Sequence, residues 1–163
     1  MKTTIILIVA AASVFVAGDI LAAGSLSVTT TPVAFGNYDM FAVAANTTGQ
    51  GSVTVSYVTG VNPNPPINYT ITISGSPNNG MSINPRVMKI SPANPDNLNY
   101  NVYTDIGRTI IWNSVITGGA DNVTGTIKRN DPPDILPVYG NIPALQNVSS
   151  GSYSDTLDVT INF

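Results

Sequence analysis

The last segment of the chain, Thr156–Phe163, alternates strictly between apolar and polar residues. Leu157, Val159, Ile161 and Phe163 take one set of alternate positions, and the residues between them are all polar. Successive side chains of a β-strand point to opposite faces, so this pattern predicts a strand with one apolar and one polar face. Such a strand either pairs along both edges within its own domain or leaves one edge to another chain. Which of the two holds is the functional question that the sequence poses.

Short alternating segments separated by turn-forming residues recur at intervals of about ten residues, as in a β-sandwich. Pro32 is expected to end the first of these segments, Leu26–Pro32, and the segment Val138–Pro143 is expected near a sheet edge. Glycine- and proline-rich loops lie between the segments, for example Asn62–Pro66 and Asp131–Asp134. The predicted segments are Leu26–Pro32, Ser52–Tyr57, Asn68–Ile73, Arg86–Met88, Leu98–Tyr103, Val123–Ile127 and Val138–Pro143.

The composition supports an all-β domain and excludes several classes of function. Only 9% of the 163 residues are charged, every acidic residue is Asp, and strand and turn formers dominate. The chain has no cysteine and no histidine, which removes thiol nucleophiles, disulfides, histidine-based catalysis and most zinc sites. A net charge of −3 without a basic cluster argues against nucleic acid as a partner. We therefore expect no enzyme activity, no cofactor and no metal site.

The N-terminus resembles a secretory signal peptide in its pattern. Met1-Lys2 precedes the apolar run Ile5–Ala17, and small residues follow near Ala22 and Ala23. We expect residues 1–23 to be the signal peptide and residues 24–163 the mature domain. A retained membrane anchor is the alternative, but the run is shorter than the roughly 20 residues that a span needs, and Asp19 interrupts it.

Several motifs in order along the chain resemble one family. They are Thr31–Asp39, Gly51–Val55, Arg86–Met88, Leu98–Asp105, Trp112, Val138–Ala144 and Gly151–Phe163. The sequence resembles the spore coat protein U domain, which is shared with pilin subunits of archaic chaperone–usher pili. The resemblance covers nearly all of the mature chain, and it rests on the order of the motifs more than on any one of them.

The resemblance implies an immunoglobulin-like β-sandwich that lacks its final strand. The partners that it implies are a periplasmic chaperone, an usher and neighbouring pilin subunits. Of these, the chaperone and the neighbouring subunit would each add a strand by β-augmentation. It also implies secretion through the periplasm to a fibre or coat at the cell surface, with a role in adhesion or biofilm formation. The groove for the partner strand is expected to be lined by Leu157, Val159, Ile161, Phe163, Leu26 and Val28.

Two departures from the family pattern bear on function. The family's two cysteines correspond to positions near Leu26 and Tyr57, where an apolar pair stands instead. Cleavage after Ala22 or Ala23 would also leave too few residues before Leu26 to serve as a donor strand, which implies a subunit at a fibre end. Cleavage after Ala12 is the alternative, and it would free Ser13–Ser25 as a donor.

Other interpretations remain open at this point. The chain could be a self-contained extracellular or spore-coat protein with a complete sandwich, or a carbohydrate-binding adhesin that uses its Pro-rich loops. Trp112 and Tyr100 are expected in the core, because aromatic rings supply much of a sandwich's buried area. Arg86 is expected to be solvated or lightly bridged, with Asp105 or Asp155 as its partner.

Overall fold

The computed structural model describes residues 24–59, 65–93, 95–116 and 118–163, and the backbone of two short strands before them. The described part of the chain contains no α-helix, only β-strands and one 3₁₀ turn at Pro77–Asn79. The strands are β1 (Thr3–Ile6), β2 (Ala12–Val14), β3 (Ser25–Tyr38), β4 (Gln50–Thr59), β5 (Ile67–Ile73), β6 (Arg86–Met88), β7 (Leu98–Tyr103), β8 (Val123–Ile127), β9 (Asp134–Asn141) and β10 (Val159–Asn162).

The strands form two sheets that face each other as an immunoglobulin-like β-sandwich. The larger sheet has the order β1-β3-β4-β9-β7-β6, and the smaller sheet has the order β2-β10-β5-β8. All pairs are antiparallel except β2 with β10. The predicted fold class is confirmed.

Alternating side chains from both sheets fill the core. In the C-terminal segment, Leu157, Val159 and Ile161 are buried, whereas Thr156 and Asp158 at the alternate positions are exposed. Trp112 and Tyr100 are also buried, as predicted. The ring of Tyr100 meets that of Phe35 edge to face, with centroids 6.0 Å apart.

Pro32 does not end the first strand, so that prediction was wrong. β3 continues to Tyr38, and its register against β4 shifts between Thr31 and Ala34. A bulge of this kind leaves residues outside the regular ladder, where a proline without an N–H is accommodated. Gly51 on β4 permits the close approach, because a Cβ there would lie 2.6 Å from the carbonyl oxygen of Thr31.

The strand predicted near an edge is also placed differently. β9 lies between β4 and β7 in the larger sheet, although the sequence pattern at Val138–Pro143 predicted a position near an edge. β7 pairs only with Tyr139–Asn141 of β9, whereas Pro137 lies opposite Ser52 of β4. Pro137 thus falls where β7 makes no pair, which explains how a strand inside the sheet tolerates it.

Two sequence predictions lie outside the described residues, namely signal cleavage at Ala22 or Ala23 and the Asn62–Asn64 part of the first Pro-rich loop. Among the residues described, no helix has the length and apolar character needed to cross a membrane.

Candidate functional site: the edges of β3 and β10

Within residues 24–163, β3 is one outer strand of the larger sheet and β10 is one outer strand of the smaller sheet, with β6 and β8 at the opposite ends. β3 pairs with β4, and β10 pairs with β5 through the register Val159↔Ile73 to Asn162↔Thr70. The second edge of each strand has no neighbouring strand among the described residues of that range. Backbone N–H and C=O groups along such an edge can pair with an added strand.

The two N-terminal strands occupy these edges. β1 pairs antiparallel with the end of β3, from Thr3↔Tyr38 to Ile6↔Ala34. β2 pairs parallel with β10, from Ala12↔Val159 to Val14↔Ile161, and it also contacts β3. Because β2 contacts a strand of each sheet, the two edges border the same opening, which we call the β3–β10 opening.

The residues predicted to line a groove come together in one core cluster. Leu157, Val159 and Ile161 from the C-terminal segment are at most 1% exposed, and Leu26 of β3 is 3% exposed. Val28 is buried as well, and Phe163 is half-buried against the same cluster. The structure thus places all six predicted residues together between the two sheets.

The segment before β10 is held by a buried polar network that the sequence did not suggest. Asp155 is buried, and its carboxylate accepts hydrogen bonds from the Tyr100 hydroxyl at 2.7 Å and from Asn78 Nδ2 at 3.0 Å. The backbone N–H of Thr156 donates to the same carboxylate at 2.9 Å. Burial raises the pKa of Asp155 and raises that of Tyr100 well above its usual value. Asp155 lies two residues before Leu157, so the alternating pattern of this segment places both side chains on the same, buried face.

Arg86 is fully buried, so the expectation of a solvated arginine was wrong. Its guanidinium donates to four main-chain carbonyls, those of Ile73, Ser74, Ile83 and Trp112. Burial lowers its pKa to about 10, although the nearby charge of Asp155 acts in the opposite direction. Arg86 therefore links the end of β5 to the segments around Ile83 and Trp112.

Leu26 and Tyr57, near which the resemblance implies the family's cysteines, are directly opposite each other. The register of β3 and β4 pairs these two residues. Leu26 is buried, and Tyr57 packs against the core cluster while partly exposed. These two residues are thus a cross-strand pair that packs against the core.

The Asp131–Asp134 segment is a loop that leads into β9, as predicted. Asp131 accepts a hydrogen bond from the backbone N–H of Lys128 at 3.0 Å, and Asp134 accepts one from the Tyr69 hydroxyl at 2.7 Å. Both carboxylates thus have structural partners. Among the residues that the structure describes, no group of three acidic, His or Cys side chains could hold a metal ion.

The fold defines a class, that of all-β proteins with an immunoglobulin-like β-sandwich. Comparison with known families gives a closer assignment, since the model of the Spore Coat Protein U domain matches residues 10–160. The chain belongs to this family. It is also similar to "Protein U" of Myxococcus xanthus, with 37% identity over 71 residues. That match spans 44% of this chain and 37% of the relative.

Membership of this family indicates a structural protein of the spore-coat or fimbrial type, and the family is non-enzymatic and associated with surface or coat structures.

Proposed function

We propose that the chain is a secreted subunit of a surface fibre, assembled by chaperone–usher donor-strand exchange and acting in adhesion or biofilm formation. A periplasmic chaperone fills the β3–β10 opening first, and a neighbouring subunit fills it in the fibre. This mode of β-augmentation by pilin subunits is a known one. The observation that carries the proposal is that, within residues 24–163, β3 and β10 each end a sheet on the same side and border one opening.

The core geometry supports this proposal. Val159 and Ile161 are buried side chains of β10, the strand whose second edge faces the opening, and Leu157 is buried just before it. A donor strand placed there gains main-chain hydrogen bonds from β10, and its alternate side chains join the core. Both gains are needed, because a strand held by main-chain bonds alone contributes little specificity.

Asp155 and its partners would prepare the acceptor edge. The network joins the segment before β10 to Tyr100 of β7 and to the 3₁₀ turn at Asn78. A β10 that is held at its start presents a fixed edge to the incoming strand, which lowers the entropy lost on binding.

A matched pair of substitutions on β10 tests the proposal. Ile161 is 1% exposed and faces the core, whereas its neighbour Asn162 is exposed on the opposite face. Ile161→Asp should abolish capture by a co-expressed cognate chaperone, because a buried charge without a partner is strongly unfavourable. Asn162→Asp introduces the same charge at the exposed position and should leave capture within about twofold of the unchanged chain.

Capture would be measured by affinity purification of a tagged chaperone, followed by quantification of the bound chain. Equal capture of both variants would contradict the proposal. A self-contained coat protein with a complete sandwich is the alternative, and it predicts no capture of any form.

A further inference from the structure

One chain segment pairs with both edges of the β3–β10 opening. β1 lies along residues 34–38 of β3 in the larger sheet, and β2 lies along Val159–Ile161 of β10 in the smaller one. Five residues separate the two strands in sequence. An extended chain of five residues spans up to about 16–18 Å, more than the roughly 10 Å between packed sheets. One segment is therefore long enough to reach both edges at once.

The direction of β2 distinguishes it from the other strands of the two sheets. It runs parallel to β10, whereas every other pair in both sheets is antiparallel. Parallel neighbours need a crossover connection of a dozen or more residues. β2 and β10 stand at opposite ends of the sequence, so the whole domain supplies that connection.

We propose that β1 and β2 act as an internal plug that keeps the β3–β10 opening closed while they remain attached. Each edge of a strand pairs with one neighbour, so an edge occupied by β1 or β2 cannot accept a second strand. All these residues precede Ala22 and Ala23, where cleavage is predicted. Removal of the leader would then open both edges together, and the nature of the strand that enters afterwards rests on the proposed function.

The plug acts only in a chain that folds before its leader is removed. In that chain, β2 pairs with the backbone groups along the outer edge of β10, and the precursor stays monomeric. In the processed chain, the same edge is vacant and available to a partner. Cleavage would thus act as the step that makes the subunit competent for assembly.

Hydrogen exchange at the backbone amides of β10 tests the plug directly. Successive N–H groups of a strand point to opposite edges, so two of the four amides of Val159–Asn162 point to β5 and two point to β2. Residues 1–163 and residues 24–163 would each be produced in the cytoplasm without export and compared by NMR. In the full chain all four amides should be protected, and in residues 24–163 the two that point away from β5 should exchange at least about tenfold faster.

If residues 24–163 prove too unstable to measure, hydrogen exchange in residues 1–163 is sufficient to test the plug. Protection of all four amides in monomeric 1–163 supports the plug. Alternating protection in that protein would overturn it, and so would full protection found only in a concentration-dependent dimer, which indicates exchange of the segment between copies. The proposed function fails separately, through absence of chaperone capture by residues 24–163.

Discussion

Arg86 shows what a single residue contributes to this fold. Its four hydrogen bonds reach carbonyls in three separate segments, at Ile73–Ser74, Ile83 and Trp112. Backbone carbonyls have no side-chain signature, so the sequence around Arg86 gave no sign of these partners. Electrostatic reasoning from sequence pairs arginine with carboxylates, and here it missed the main contacts.

Replacement of Arg86 should be among the most damaging single changes. Arg86→Leu would leave four carbonyls, two of them buried, without this donor and Asp155 without a nearby positive charge. The expected cost is about 3–5 kcal/mol in the free energy of unfolding. Arg129→Leu is the control, because Arg129 is exposed, and it should change stability by less than about 0.5 kcal/mol. Urea unfolding followed by tryptophan fluorescence measures both, and equal stability of the two variants would contradict this role of Arg86.

Asp155 should make stability depend on pH in an unusual direction. Its pKa in the folded chain lies above its ordinary value of 3.8, because burial disfavours the ionised form. The resulting cost is present at pH values above the folded pKa and disappears as the pH falls through 3.8. Asp96 and Asp105 have lowered pKa values, so their contributions are lost on acidification instead.

A comparison with Asp155→Asn isolates this effect, because Asp96 and Asp105 are common to both proteins. The free energy of unfolding of the unchanged chain minus that of the variant should rise as the pH falls from 7 to 4. Urea unfolding at several pH values measures this difference. A difference that falls or stays constant on acidification would mean that burial does not raise the pKa of Asp155.

At the scale of the elements, period-two alternation predicted most strands but not their neighbours. Alternation located β4, β5, β7 and β8 closely, because each buries one face against the opposite sheet. It failed at Pro32, where a bulge carries the strand past the proline, and at β9, which is flanked on both sides by other strands. Bulges and strand order depend on residues distant in sequence, so local patterns do not specify them.

The direct pairing of Leu26 with Tyr57 predicts that a disulfide can be introduced there. Directly opposed residues on antiparallel strands have Cα atoms about 4.5–5.5 Å apart, within the range that a disulfide requires. The double variant Leu26→Cys/Tyr57→Cys would close a loop of about 30 residues and should gain roughly 3–4 kcal/mol when oxidised. Part of this gain is offset by the loss of the apolar contact.

Thermal unfolding of the double variant with and without reductant measures the gain, and the two single variants are its controls. The oxidised form should melt at a higher temperature than the reduced form. Failure of the bond to form in the folded protein would contradict the register of β3 and β4 at this position.

For the whole molecule, the position of the mature N-terminus decides which place in a fibre the proposed subunit can have. The sequence predicts cleavage after Ala22 or Ala23, which leaves no donor segment before β3. The intact mass of the exported chain should therefore equal that of a protein beginning at Ala23 or Gly24. A mass that corresponds to a start at Ser13 would instead give the subunit a donor strand and a place within the fibre shaft.

The candidate site was predicted from the sequence as a set of residues, but its geometry was not. The alternation of apolar and polar residues along the C-terminal segment predicted that Leu157, Val159 and Ile161 share one face, and all three are buried in the core. The alternation could not predict that the edge of β3 lies beside β10, because the two strands are distant in sequence and meet only through the packing of the sheets. The groove itself stays a prediction from the family resemblance.

The most direct test of the account is the state of residues 24–163 in solution, with and without a cognate chaperone. Size-exclusion chromatography with light scattering should find the domain alone as an unstable or self-associating species, because the edges of β3 and β10 are open. With the chaperone co-expressed, it should find a soluble one-to-one complex. A stable monomer in the absence of any chaperone, with cooperative unfolding, would contradict an opening that requires a partner's strand.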